Sequence, residues 1–193
     1  IMANGTLKVS NIQTSSGSGT ITIGQSGETI DLSNGTATLN STMKAVPAFE
    51  AHLGSNQTSI ANDTSVKVQF ATEVFDSDGT YDNSTNYRFT PAVAGKYFVY
   101  SSVEGNGGGG NSDLDELSNQ IYLNGSVYRY NQNKYTSNPV KYVNVQSQAI
   151  MDLDADDYVE IYAHIKSNSS SGSNSFSASN KKTYFGAFKI IGA

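Results

Sequence analysis

The chain contains no cysteine, so neither a disulfide framework nor a thiolate zinc site can form, and folded stability must come from packing alone, in cytosol or outside cells. Only two histidines occur, His52 and His164. Both fall inside stretches that read as strands, which leaves a Ser-His-Asp triad or a histidine metal centre short of candidates, and no enzymatic activity is expected. Helix formers are scarce, and the one helix-like run, residues 113–117, is about one turn long, well under the ~12 residues an isolated helix needs. Twelve basic residues, scattered among 17 acidic ones, give a net charge of −5. Without a basic stripe to neutralise phosphates, nucleic acid is not an expected partner. No apolar run approaches the ~18 residues of a membrane span, so no membrane insertion is expected, and the first residues lack the charged-then-apolar pattern of an export signal.

The residues present point to β structure. The hydrophobic fraction is only 37%, yet it includes 12 Tyr and 8 Phe, large side chains that favour strands and fill cores. Eighteen glycines, with abundant Ser, Thr and Asn, punctuate the sequence with turns. Two regions differ in pattern. Between residues 19 and 39, short strands repeat: Ile21, Ile30 and Leu39 fall nine residues apart, as do Ile23 and Leu32. Three such strands bury too little surface to fold alone, so residues 1–46 read as a β-rich attachment stem completed by partners, or as a Gly/Ser linker of the same composition.

Beyond Pro47 the strands lengthen and carry aromatic residues: 48–53, 66–75, 97–103, 120–123, 140–152, 158–165 and 184–191 are predicted as strands. With Asn/Gly/Ser loops and no helices between them, residues 47–193 are predicted to form one antiparallel sandwich or barrel. In 158–166, Val159, Ile161, Ala163 and Ile165 share one face and Tyr158, Glu160, Tyr162, His164 and Lys166 the other. The first face is core. The second reads either as an intersubunit surface built on Tyr158, Tyr162 and His164, since tyrosine is enriched at interfaces, or as ordinary exposed tyrosines.

Two acidic loops offer candidate sites. Asp76, Asp78 and Asp82 offer oxygen ligands at calcium-loop spacing, although Tyr87 stands where an EF-hand places a bidentate Glu; the alternative is a solvated turn. Asp152, Asp154, Asp156 and Asp157 read as a loop before they read as ligands. The run Gly105–Gly110 lacks the Lys-Ser/Thr and the helix of a phosphate loop and reads as a flexible tip.

The spacing Phe70-x5-Asp76-x4-Tyr81-x7-Phe89-x5-Gly95-x-Tyr97-x-Val99 resembles the signature of the C1q-like family. Tyr122-Leu123-Asn124-Gly125, the Leu153-to-Val159 stretch and Tyr184-Phe185-Gly186-Ala187-Phe188 follow in the family's order. Departures are Val99 in place of an aromatic, Asp156 in place of Gly, the altered Gly186-Ala187 pair and one extra residue between Tyr81 and Phe89. The resemblance implies a jelly roll shared with tumour necrosis factor, assembled as a homotrimer, with no cofactor beyond a possible structural calcium. The opening, Gly5-Thr6-Leu7-Lys8-Val9-Ser10-Asn11, followed by glycine-rich β repeats, resembles virion proteins of marine tailed bacteriophages. It implies placement on the outer surface of a virion, in the tail or on the capsid, with residues 1–46 held by other virion proteins. The head would be a tail-fibre tip or knob contacting a host surface glycan or protein, a capsid decoration, or, as a different class, a free soluble recognition protein.

Overall fold

The computed structural model describes residues 46–108, 113–135, 137–168 and 174–190. The chain divides into two units, Ile1–Asn40 and Ser41–Ala193, and every described residue belongs to the second. The nine-residue repeat and the stem up to residue 45 lie outside the described residues, as do residues 109 and 110 of the glycine run. Thirteen strands run through the described residues: β1 (Ala48–His52), β2 (Gln57–Ile60), β3 (Thr64–Lys67), β4 (Thr72–Asp76), β5 (Tyr81–Asp82), β6 (Arg88–Phe89), β7 (Gly95–Asn106), β8 (Leu114–Leu123), β9 (Ser126–Lys134), β10 (Tyr142–Leu153), β11 (Val159–Ser167), β12 (Asn174–Phe176) and β13 (Tyr184–Lys189). Among the described residues there is no α-helix, and the helix-like run at 113–117 opens β8 instead.

Two antiparallel sheets result. In the first, β10 and β13 flank the long β7, followed by β1 and β4, while β12 continues the β13 side of β7 and carries β2. The second runs β5-β6-β11-β8-β9, with β3 beside β6 along one edge of β11. Period-two alternation makes this a sandwich. In β10, Val143, Val145, Ser147, Ala149, Met151 and Leu153 point in and the intervening residues point out. In β11 the inward face is Val159, Ile161, Ala163 and Ile165, as the alternation predicts.

The spaced aromatics of the sequence signature meet in one cluster between the sheets. Phe49 stacks on Tyr81 at 4.5 Å and on Phe89 at 4.9 Å, and meets the edge of Phe185 at 4.8 Å. Phe70 packs on Phe185 and Phe89 on Tyr97. Tyr81 and Tyr97 keep their hydroxyls satisfied by donating to the carbonyls of Phe70 (3.1 Å) and Val93 (2.6 Å). Burial, joined by the Asp78 charge, pushes the Tyr97 phenol up to about 12.

The predicted strand at 66–75 is two strands. β3 joins the second sheet and β4 the first, so residues 68–71 cross the sandwich, with Val68 and Phe70 fully buried. Alternation continues through the crossing because Val66, Val68 and Phe70 face the same interior, which is why the corner is invisible to pattern. The Asn-Gly turn is realised as expected: Asn124 and Gly125 both take positive φ (50° and 79°) between paired Leu123 and Ser126.

A polar bridge joins the sheets at mid-core. Fully buried Asn119 of β8 accepts from Ser101 Oγ at 3.0 Å and donates to the Val145 carbonyl at 3.0 Å. Replacing Asn119 with alanine strands two buried groups, so a loss of about 1–3 kcal/mol is expected. Urea unfolding should show a lower midpoint at unchanged slope; an unchanged midpoint would mean the bridge contributes nothing.

Ala92 sits at φ 58°, a left-handed conformation that side-chain-bearing residues disfavour. Ala92→Gly is therefore expected to stabilise the head by roughly 0.5–1 kcal/mol. A lower urea midpoint in that variant would contradict the assignment.

Candidate functional site

Exposed and half-buried aromatic residues line the outer face of the first sheet, and strand register explains how. Alternate residues of β7 point outward there: Phe98, Tyr100, Ser102, Glu104 and Asn106. Phe98 lies between Ile150 of β10 and Phe188 of β13. The next row sets Tyr100 between Gln148 and Gly186, with Glu50 and Phe75 beyond; the row after it holds Gln146, Ser102, Tyr184 and His52. Ring centroids lie 5.8 Å apart for Phe98 and Tyr100, 5.5 Å for Phe98 and Phe188, and 6.1 Å for Tyr100 and Tyr184. Ile150 is 60% exposed, Phe75 47% and Phe188 44%.

Gly186 makes the middle row possible. A Cβ there would stand 2.4 Å from the Tyr100 ring, so only glycine lets Tyr100 lie across β13 and donate to Glu50 at 2.9 Å. Burial, and then this carboxylate, push the Tyr100 phenol above its usual range. Paired charges bound the aromatic rows: Lys96 with Asp152 at 3.4 Å toward one end, Lys182 with Glu104 at 2.8 Å toward the other. An apolar, aromatic centre with a charged rim is the anatomy of a protein interface.

The face of β11 singled out in the sequence is differently furnished. Tyr162 packs against Tyr122 with ring centroids 4.3 Å apart and planes tilted by 30°, and lies under Lys67, which is ion-paired with Glu160. Arg88 covers the Tyr158 ring at 4.7 Å. His164 lies between Asp63 (3.0 Å) and Glu116 (3.4 Å), and Lys134 and Lys166 pair with these same carboxylates. Tyr158, Tyr162 and His164 thus share one outer face, already occupied by cross-strand partners from their own chain.

The alternation pattern does not single out Phe98, Tyr100, Ile150, Tyr184 and Phe188 as surface residues. A signal existed: residues 97–100, Tyr-Phe-Val-Tyr, are apolar or aromatic at both parities, the mark of a strand whose two faces both seek cover.

The three candidate calcium ligands are committed to loop structure. Asp76 accepts from the amides of Asp78 and Tyr81 and the Thr80 hydroxyl. Asp78 accepts from Ser77, and Asp82 closes its turn by accepting from the amides of Ser84, Thr85 and Asn86. Among the described residues no three His, Asp or Glu side chains form a group able to hold a metal ion. Of the other acidic loop, Asp157 binds Asn124 (2.6 Å) and the Asp154 amide (2.8 Å), tying that loop to the Asn-Gly turn. Gly105 is not part of a tip: it lies within β7, where a Cβ would stand 2.8 Å from Leu117.

These bonds have a pH consequence. The Thr85 and Ser84 amides hold the Asp82 carboxyl well below the usual carboxylate range, Asn124 lowers Asp157, and His164 with Lys166 lowers Asp63. Folded-state values below the unfolded ones mean that the stabilisation is present above about pH 4 and is lost as pH falls from there through the folded values. Stability measured against pH should therefore fall on the acid side. Asp82→Ala should be less stable at neutral pH and show a shallower acid slope; an equal slope would contradict the assignment.

No family model matches the sequence, and no curated protein matches it. Solved structures do match in fold. Murine APRIL at pH 5.0 is similar with a TM-score of 0.53 at 11% identity, covering 75% of this chain and 99% of that one. The globular domain of zebrafish complement 1qA protein gives 0.51 at 15% identity, with 75% and 98% covered. Eiger TNF from S. frugiperda gives 0.52 at 13%, with 77% and 93% covered. Two antiparallel sheets, this strand order and an aromatic core drawn from the spaced signature together make the described unit a jelly roll of the C1q/TNF fold.

Proposed function

We propose that residues 47–193 form the non-catalytic recognition head of a homotrimer, associated through the outer face of the first sheet. The single observation that supports this most is the row Ile150, Phe98, Phe188: apolar side chains aligned across three strands, with Ile150 and Phe188 exposed in one chain. Exposed apolar surface of this kind marks association sites, and a closed threefold ring joins each copy to the next head to tail, with residues near the axis meeting their own counterparts. Trimers are also what the resemblance to C1q-like proteins implies. Sedimentation equilibrium should return three times the 20.6 kDa chain mass; a monomer at micromolar concentration overturns the reading.

We further propose that the chain is an external virion component of a tailed phage, with residues 1–46 as its attachment and the head turned toward a host surface. Support for this comes from the resemblance of the first 45 residues. Immunogold imaging of intact particles should label the tail tip. Label on the capsid would favour a decoration protein, and unlabelled particles a free recognition protein.

A further inference from the structure

Past the aromatic rows, at the Glu104 end of the same sheet face, the chain forms a solvent-open cavity of about 390 Å³, toward the lower end of the roughly 300–1,000 Å³ typical of small-ligand pockets. Glu104 is fixed there by its backbone, donating to Thr183 Oγ1 at 3.0 Å and accepting from the Ser177 amide at 2.8 Å. Its side chain is 9% exposed, and Oε2 takes the Lys182 ammonium at 2.8 Å. Among the described residues nothing bonds Oε1, which remains an acceptor.

Two amide donors are set in the same cavity. Asn56 and Asn106 each commit their side-chain oxygen to a backbone amide, of Ala178 at 2.8 Å and Gly108 at 3.0 Å. Their NH2 groups are left to donate. Ser175 and Ser179 add hydroxyls, and Tyr142, 51% exposed, adds an aromatic ring.

From this donor set we infer that the cavity binds a neutral pyranose. Two oriented N–H donors and a carboxylate acceptor suit adjacent ring hydroxyls, and the Tyr142 ring suits the C–H face of the sugar. Lining charge favours a neutral ligand: Glu104 and Lys182 cancel, and Lys141, which lies outside the lining, is engaged over one face of the Tyr142 ring at 5.3 Å from its centroid. Every lining residue comes from one chain, so the site does not depend on the proposed trimer.

The test uses the full chain and saturation-transfer NMR with methyl α-D-mannopyranoside, methyl β-D-galactopyranoside and methyl N-acetyl-β-D-glucosaminide. Inorganic phosphate and N-acetylneuraminic acid serve as anionic competitors. At least one neutral glycoside should bind saturably with Kd on the order of 1 mM. Ser179→Trp, which fills the mouth from an exposed position, and Tyr142→Ala, which removes the ring, should each weaken it by about tenfold or more. Circular dichroism and sedimented mass should be unchanged in both variants. A methyl glycoside that binds as well as its free sugar identifies a glycan terminus; preference for the free sugar identifies a free saccharide. The inference is overturned by the absence of saturable binding from all three glycosides, by binding that neither variant weakens, or by displacement only with the anions. A trimeric mass alongside any of these failures would leave the assembly proposal standing.

Discussion

Replacing Phe49 with alanine is expected to lower the unfolding free energy by about 3–5 kcal/mol, a large share of the roughly 5–15 kcal/mol that holds a domain together. Phe49 is fully buried and touches three other rings, Tyr81, Phe89 and Phe185, two stacked and one edge-on. These rings come from β5, β6 and β13, which span both sheets. Alanine would remove the ring all three pack on, and their backbones, held by strand pairing, cannot collapse to fill the space. Phe89→Ala should fall in the same range, with the pair of substitutions less than additive because they share one contact. Urea unfolding at a fixed protein concentration reads the effect. A loss under ~1 kcal/mol for Phe49→Ala would mean that the cluster is not the centre of the core.

The second large effect concerns assembly. Ile150→Asp combined with Phe188→Asp is expected to leave a folded monomer. Both side chains are exposed in the isolated chain, so folding should change little. At a closed interface the same carboxylates would be buried without partners, at a cost of at least about 3 kcal/mol and hence roughly two or more orders of magnitude in association. Tyr162→Ala, on the opposite sheet, is expected to leave assembly intact. Were Tyr162→Ala to dissociate the trimer and the double aspartate to preserve it, the face of Tyr158, Tyr162 and His164 would be the interface instead.

These two expectations rest on features of unequal visibility in the sequence. Phe70, Tyr81, Phe89, Tyr97 and Phe185 stand out because their spacing is set by strand and turn lengths that one fold imposes, and the structure gathers them into a single cluster. The Asn124-Gly125 turn was readable for a local reason, its need for positive φ at two successive residues. Strand β9 was not readable: Ser126–Lys134 is an edge strand with mostly exposed, polar side chains, so it shows no buried face to generate a pattern. What closes that edge is long-range, with Tyr128 donating to the Ile150 carbonyl and Asn131 to that of Gln146. The aromatic face was hidden for a related reason. Its rows run across strands, joining residues such as Phe98, Ile150 and Phe188 that are far apart in sequence, whereas Tyr158, Tyr162 and His164 fall within seven consecutive residues. The cavity at Glu104 is less visible still, because its polarity resembles that of any loop until Asn56, Asn106 and Lys182 are brought to one place.

Side-chain footprinting by hydroxyl radicals, followed across a dilution series, tests the assembly most directly because it reads each face separately. As the chain associates, Phe98, Tyr100, Ile150, Tyr184 and Phe188 should become protected while Tyr122 and Tyr162 keep their reactivity. Protection that gathers at Tyr158, Tyr162 and His164, or reactivity of the aromatic rows that stays constant from dilute to concentrated protein, would contradict assembly through the first sheet.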